Sequence, residues 1–152
     1  MKSYLALFLL ACSLIASAAG GGGGGGMAGG GGTRANDELN IAQQRIAEQQ
    51  WSAAIEHLEK ASRFDANNAD IWNWLGYSQR KSGQLDAAFK SYEKALQLNP
   101  RHLGAREYLG EAYLLANNPA AARQQLQELE TLCGVQCEQY QDLAKAIAGH
   151  QP

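Results

Sequence analysis

Apolar residues recur at helical spacing along most of the chain from residue 37 onward, in segments separated by short polar turns. Within each segment they fall at intervals of three and four residues, which places them on one face of an α-helix. The pattern predicts amphipathic helices and no strands. The predicted helices span residues 37–48, 51–64, 69–81, 85–98, 103–116, 119–132 and 137–148.

Turn-forming residues stand at most of the breaks between these helices. Asparagine, serine and glycine favour helix caps and turns, and proline is tolerated in a first helical turn, where its missing N–H is no loss. The breaks carry Asn67-Asn68, Ser82-Gly83, Asn99-Pro100 and Asn117-Asn118-Pro119.

The helices form pairs that repeat along the chain. Residues of the same character return at intervals of 34 positions: small at 42, 76 and 110, small at 54, 88 and 122, and larger and apolar at 41, 75 and 109. Small residues let the two helices of a pair approach closely, and larger ones fill the space between pairs. One pair cannot bury its apolar face alone, so pairs must stack into a solenoid.

The most regular copy lies in residues 69–100, and its spacing resembles the tetratricopeptide repeat (TPR), with W-x2-L-G, A-x3-F and P. The residues that carry the resemblance are Trp72, Leu75, Gly76, Ala88, Tyr92, Ala95 and Pro100. The resemblance implies an all-α TPR solenoid with three helix-turn-helix repeats at 35–68, 69–102 and 103–136. It also implies a helical binding module and not an enzyme.

A seventh helix at the C-terminus continues the same period. Tyr140, Leu143, Ala144 and Ile147 fall at the first-helix positions of a fourth unit, although no second helix follows. Residues 137–149 are therefore predicted to form a C-terminal capping helix over the third repeat.

The N-terminus has the features of a secretory signal peptide at residues 1–18. Lys2 gives a positive start, an apolar stretch follows, and Ala16-Ser17-Ala18 offers a cleavage site. Cleavage after Ala18 predicts an exported, periplasmic protein. The alternative is a membrane-anchored lipoprotein, because Leu9-Leu10-Ala11-Cys12 resembles a lipobox that would make Cys12 the acylated first residue. Residues 19–34 are rich in glycine and predict a flexible linker.

Cys133 and Cys137 flank the turn before the capping helix, and in an exported protein the default for such a pair is a disulfide. A redox dithiol or a Cu(I) site is the alternative. The C-x3-C spacing differs from the C-x2-C of thioredoxin-like proteins, and no His or Met ligand lies nearby. This C-terminus also resembles that of small exported TPR proteins of Gram-negative bacteria.

Charge and motifs narrow the function further. The net charge of −2 provides no basic footprint for nucleic acid, and no run of like charges suggests a membrane surface. No catalytic motif occurs, and no cofactor or metal site is predicted. His57, His102 and His150 are scattered, so solvated side chains are expected.

In TPR proteins, first-helix positions line a concave groove. Carried onto the second and third repeats, the resemblance implies a groove with a polar and cationic strip facing two acids. The candidate groove residues are Asn73, Tyr77, Arg80, Lys81, Glu107 and Glu111. Such a surface suits an extended or helical peptide held by polar contacts around an aromatic anchor. Trp72 occupies a packing position, whereas Trp74 could pack or bind.

The pattern by which chaperone-binding TPR domains clamp a terminal carboxylate is missing. The equivalent positions hold Leu39, Gln43, Trp74, Gly104 and Tyr108. The predicted function is a non-catalytic periplasmic scaffold or adaptor that binds a protein or peptide of unknown identity. The alternative is a redox or copper-handling protein acting through Cys133 and Cys137.

Overall fold

The structure, a computed structural model, describes residues 30–150, and these residues form helices and no strands. The helices are α1 (Gly30–Ala47), α2 (Trp51–Phe64), α3 (Ala69–Lys81), α4 (Leu85–Leu98), α5 (Leu103–Leu115), α6 (Pro119–Cys133) and α7 (Glu138–Gly149). Helices α2, α3 and α4 have the predicted bounds, and α5, α6 and α7 differ by one residue at one end or both. The predicted all-α solenoid is confirmed.

Helix α1 begins at Gly30, earlier than predicted, and therefore includes residues 30–34 of the predicted glycine linker. Contacts in its first turns explain the extension: Ala35 is fully buried, and the Arg34 guanidinium lies 5.9 Å from the centre of the Phe64 ring. These contacts act against the helix-forming cost of glycine, which is about 1 kcal/mol per residue. The predicted signal peptide, Cys12 and residues 19–29 of the linker lie outside the described residues.

The helices pack as consecutive pairs, α1 with α2, α3 with α4, and α5 with α6. The second helix of each pair contacts the first helix of the next unit. First helices also contact one another, α3 with α5 and α5 with α7. One side of the solenoid is therefore built from first helices, and the candidate residues of α3 and α5 belong to it.

Glycines at the repeated small position allow close helix packing. A Cβ atom added to Gly76 would lie 2.7 Å from the Tyr92 ring, and one added to Gly110 would lie 2.5 Å from the Leu143 side chain. Neither distance leaves room for a methyl group. The prediction that small residues let the two helices of a pair approach closely is confirmed at Gly76, whereas the close neighbour of Gly110 is Leu143 of α7, outside its own pair.

The capping helix is part of the core. Leu143 of α7 is fully buried, and α7 contacts both α5 and α6. Helix α7 therefore covers the third repeat as a first helix of a fourth unit would, which confirms the prediction from the repeat period.

Trp72 and Arg106 occupy the same packing position in successive repeats and form the same kind of hydrogen bond. Trp72 donates its ring N–H to the carbonyl of Ala66 at 2.9 Å. Arg106, at the equivalent position of the next repeat, donates Nη2 to the carbonyl of Pro100 at 3.0 Å. The two carbonyls also occupy equivalent positions in successive repeats. Arg106 thus replaces the tryptophan as the donor that ties the preceding loop to the first helix.

The predicted disulfide is present. Cys133 ends α6, Cys137 precedes α7, and their sulfur atoms are 2.00 Å apart. Sulfur atoms bonded in this way offer no thiolate to a metal ion. The bridge fixes the short turn that leads into the capping helix.

Removing this bridge should weaken the C-terminal end of the solenoid. The Cys133→Ala/Cys137→Ala variant is expected to lose about 2 kcal/mol of unfolding free energy, the loop-entropy contribution of so short a loop. Urea denaturation followed by circular dichroism measures the difference. An unchanged urea midpoint would show that the turn is ordered without the covalent bond.

No helix within residues 30–150 combines the length and the apolar character needed to cross a lipid bilayer.

Candidate functional site

The predicted groove residues lie on two neighbouring first helices. Asn73, Tyr77 and Arg80 follow each other at intervals of four and three along α3, so they share one helix face. Glu107 and Glu111 share a face of α5 in the same way. Because α3 contacts α5, these two faces meet. The side formed by α1, α3, α5 and α7 is called the groove below.

Arg80 is held within the groove wall and not free for a partner. Its Nη2 atom lies 2.6 Å from Oε2 of Glu111, and only 7% of its side chain is exposed. Its Nε donates to the Tyr92 hydroxyl at 3.4 Å, and its guanidinium lies 5.5 Å from the ring centre of Tyr77 and 5.6 Å from that of Tyr108. The cation of the predicted strip is therefore neutralised by Glu111 and covered by aromatic rings.

Aromatic side chains from all three repeats meet at Tyr77. Its ring centre lies 6.1 Å from that of Trp51, 5.7 Å from that of Trp74 and 5.0 Å from that of Tyr108. These four aromatic side chains are called the aromatic cluster, and each is half-buried. Lys81 Nζ lies 5.5 Å from the Tyr77 ring centre. The cluster presents rigid, partly exposed rings of the kind that anchor partner side chains.

An open cavity lies beside Trp51, at one border of the aromatic cluster. Its volume is about 490 Å³, and its lining consists of Gln49, Gln50, Trp51, Ser52, Ala53 and Ser82. The lining contains amides and hydroxyls but no acid, base or thiol. It can accept hydrogen bonds and apolar contacts, and it offers no general acid or base.

Two buried acceptors occupy equivalent positions in successive repeats. Asn73 is 4% exposed, and its Oδ1 atom has no hydrogen-bond partner within residues 30–150. Glu107, one repeat further along the chain, is 8% exposed and forms no ion pair within the same residues. The pKa of Glu107 is raised to about 7, mainly by burial and also by the charges of Glu111, Asp142 and Glu138, against the opposing effect of Arg80.

The raised pKa makes stability depend on pH. At about pH 4, Glu107 is mostly protonated in both the folded and the unfolded state, so it lowers the free energy of unfolding only slightly. As pH rises from there to about 7, the unfolded state releases its proton while the folded state keeps it, so stability falls. The Glu107→Gln variant should therefore be more stable than the wild type at about pH 8, by roughly 1–3 kcal/mol, and similar to it at about pH 4.

Urea unfolding of both proteins at the two pH values tests this pH dependence. Glu93→Gln is the matched control because Glu93 is exposed on α4, so this variant removes a carboxylate without relieving a buried one. A Glu107→Gln variant whose advantage stays constant with pH would show that Glu107 keeps an ordinary pKa.

The fourth first helix contributes acids that were not among the predicted site residues. Glu138 and Asp142 are exposed on α7 and raise the pKa of Glu107 through their charges. The repeat period could have identified Glu138, because it stands one period after Gly104, a first-helix position of the third repeat. The predicted groove residues come from the second and third repeats alone.

The prediction of solvated histidines is wrong: two of them pair with carboxylates, and Nε2 of His150 is buried with no hydrogen-bond partner in the described part of the chain. His57 Nδ1 lies 2.6 Å from Glu38 Oε2, which joins α2 to α1. His102 accepts from the Ala105 N–H through Nδ1, so its Nε2 carries the proton and donates to Asp70 at 3.0 Å. His57 and His102 therefore each connect their own helix to a neighbouring one.

Comparison with known proteins agrees with the repeat architecture. A family model described as tetratricopeptide repeat matches residues 69–102, and a second, described as TPR repeat, matches residues 42–81. Among curated proteins, Superkiller protein 3 of Saccharomyces cerevisiae is 33% identical over 63 residues, which are 41% of this chain and 4% of that protein. The chain thus corresponds to a small part of that relative.

Solved structures show the same fold. The TPR domain of Arabidopsis OM64 superposes with a TM-score of 0.72 at 14% identity, covering 80% of this chain and 99% of that one. The second TPR domain of human RPAP3, solved in complex with the HSP70 peptide SGPTIEEVD, has a TM-score of 0.69 at 20% identity. That match covers 76% of this chain and 97% of the human domain. At these identities the likeness establishes the fold alone.

Proposed function

Because this chain is a tetratricopeptide-repeat protein, we propose that it is a non-catalytic scaffold or adaptor that binds a segment of another protein in its groove. The observation that carries the proposal is the aromatic cluster. Its rings come from three repeats and remain half-buried, so a bound segment could cover them and gain buried apolar area.

The polar surroundings of the aromatic cluster support the same proposal. Lys81 is the last residue of α3, the buried acceptor Asn73 lies nearer the start of the same helix, and Glu107 is its counterpart on α5. A segment that crosses these helices would meet apolar anchors and hydrogen-bonding groups in turn, which is how binding grooves combine affinity with specificity. The human RPAP3 domain, which shares this fold, was solved with a peptide bound.

We also propose that the protein is exported and acts in the periplasm. The support is the sequence of residues 1–18, with its positive start, apolar stretch and small residues before the cleavage site. Mass spectrometry of protein isolated from the cell envelope should find a mature chain that begins at Ala19. An acylated Cys12 would establish the lipoprotein form instead, and an uncleaved chain that begins at Met1 would contradict export.

A photo-cross-linking amino acid at two positions tests the groove. Leu115 at the end of α5 is 63% exposed and stands one repeat after the predicted groove residue Lys81, whereas Glu93 is exposed on α4, a second helix. The cross-linker at position 115 should capture a discrete partner in cells, and the one at position 93 should not. Capture at position 93 alone would place the partner on the other side of the solenoid and contradict the proposal.

A further inference from the structure

The charges of the groove are unevenly distributed once internal ion pairs are counted. Arg80 and Glu111 neutralise each other at 2.6 Å. Three acids remain at the end of the groove formed by α5 and α7: Glu107, Glu138 and Asp142. None of the three forms an ion pair within the described residues, and neither does Lys145 on the same helix as Asp142. This set of three carboxylates is called the acidic end below.

A second observation, on α3 beside the acidic end, is a buried acceptor that lacks a donor. Asn73 is more than nine-tenths buried, yet its Oδ1 has no hydrogen-bond partner within residues 30–150. Its Nδ2 lies 3.6 Å from the place that a Cβ of Gly104 would occupy, so the carboxamide lies against the first turn of α5, about one turn before Glu107. Buried acceptors are nearly always satisfied in folded proteins, by protein, water or ligand.

The two buried acceptors, Asn73 and Glu107, also occupy equivalent positions on neighbouring helices. Asn73 and Glu107 are one repeat apart and therefore stand at the same position of successive first helices, which are in contact. One acceptor is neutral, the other is a carboxylate, and Glu138 and Asp142 add negative charge from α7. A lysine ammonium has three N–H donors and an arginine guanidinium has five, so either can serve more than one acceptor.

We propose that the segment bound in the groove is basic, and that one of its Lys or Arg side chains binds Glu107 at the acidic end while Asn73 Oδ1 accepts a further N–H from the segment. This inference rests on the proposed groove function. The remaining apolar part of the segment covers the aromatic cluster. Negative potential at the acidic end also favours the approach of a cationic chain and rejects an acidic one.

Selection from a random peptide library tests the inference even though the partner is unidentified. Phage-displayed peptides of about 12 residues are selected on the full chain at low salt and about pH 8, where Glu107 is ionised. The enriched peptides should contain lysine or arginine well above the library frequency. The most enriched peptide is then synthesised with a fluorescein label, and its Kd is measured by fluorescence anisotropy.

Variants locate the bound cation. Glu107→Gln should weaken binding of the labelled peptide by about thirtyfold or more, as expected for loss of a buried charge partner. Glu138→Gln/Asp142→Asn changes two exposed residues of α7 and should weaken it by about threefold without touching the core. The matched control Glu93→Gln/Glu130→Gln removes the same charge from exposed positions on second helices and should leave Kd unchanged.

The outcomes separate this inference from the proposed function. Enrichment of acidic or uncharged peptides that bind the wild type, lose affinity with Tyr77→Ala and are indifferent to Glu107→Gln would overturn the inference and keep the groove. If the control variant Glu93→Gln/Glu130→Gln weakened peptide binding equally, the peptide would be attracted by net charge alone. That result would also overturn the inference. Failure to enrich any peptide that Tyr77→Ala weakens would contradict the groove function itself.

Discussion

Replacing Leu143 by alanine should lower the free energy of unfolding by about 2–5 kcal/mol, the range for a leucine truncated in a well-packed core. Leu143 is fully buried, and its side chain fills the space above Gly110, where no Cβ is present. The loss should be at the high end of the range because a helix backbone with a glycine at the contact cannot collapse to fill the cavity.

Urea denaturation followed by circular dichroism measures this loss. Gln141→Ala, an exposed substitution on the same helix, is the matched control and should change stability by less than about 0.5 kcal/mol. If Leu143→Ala were as mild as its control, α7 would not be part of the core, and the capping role derived from the repeat period would be wrong.

Replacing Arg80 by methionine should lower the free energy of unfolding by about 2–4 kcal/mol. Removing one partner of a buried ion pair typically costs about 3–5 kcal/mol. The variant leaves Glu111 without its cation and the Tyr92 hydroxyl without its donor, while it keeps the apolar stem of the side chain. The expected loss is somewhat smaller than the typical one because 27% of the Glu111 side chain is exposed to solvent.

A double-mutant cycle separates the ion pair from the packing of the arginine stem. Arg80→Met, Glu111→Gln and the double variant are compared by urea unfolding, and a coupling of at least about 1 kcal/mol is expected. Lys81→Met is the control, since Lys81 is exposed and contacts the Tyr77 ring. This variant is expected to lose about 0.5 kcal/mol of unfolding free energy. Equal losses at positions 80 and 81 would contradict a structural role for Arg80.

Local periodicity is enough to predict most of this fold. The bounds of α2, α3 and α4 follow from the spacing of apolar residues and from the turn residues at their ends, which are local signals. Gly76 and Gly110 are identifiable as packing residues because they recur with the repeat. The start of α1 is not predictable from composition, since a run of glycine indicates a linker unless tertiary contacts such as that of Ala35 stabilise the helix.

Whether a site residue is buried and paired or exposed depends on contacts between helices. It could not be predicted from the spacing along one helix. Arg80 and Lys81 are adjacent cations at the end of one helix, yet one is buried with Glu111 and the other is exposed. Which of the two turns inward is decided by the neighbouring first helix, which belongs to the next repeat and carries Glu111. The pairs of His57 with Glu38 and of His102 with Asp70 also join residues on different helices, which the spacing within one helix does not reveal.

Chemical-shift mapping tests the central claim, binding of a protein segment in the groove, most directly. The labelled protein is titrated with the most enriched basic peptide, and amide shifts are followed along residues 30–150. We expect the largest changes in α3, α5 and α7 and around Trp51, with α4 and the solvent face of α6 unaffected. Changes concentrated in α4 and α6, with α3 and α5 undisturbed, would contradict it.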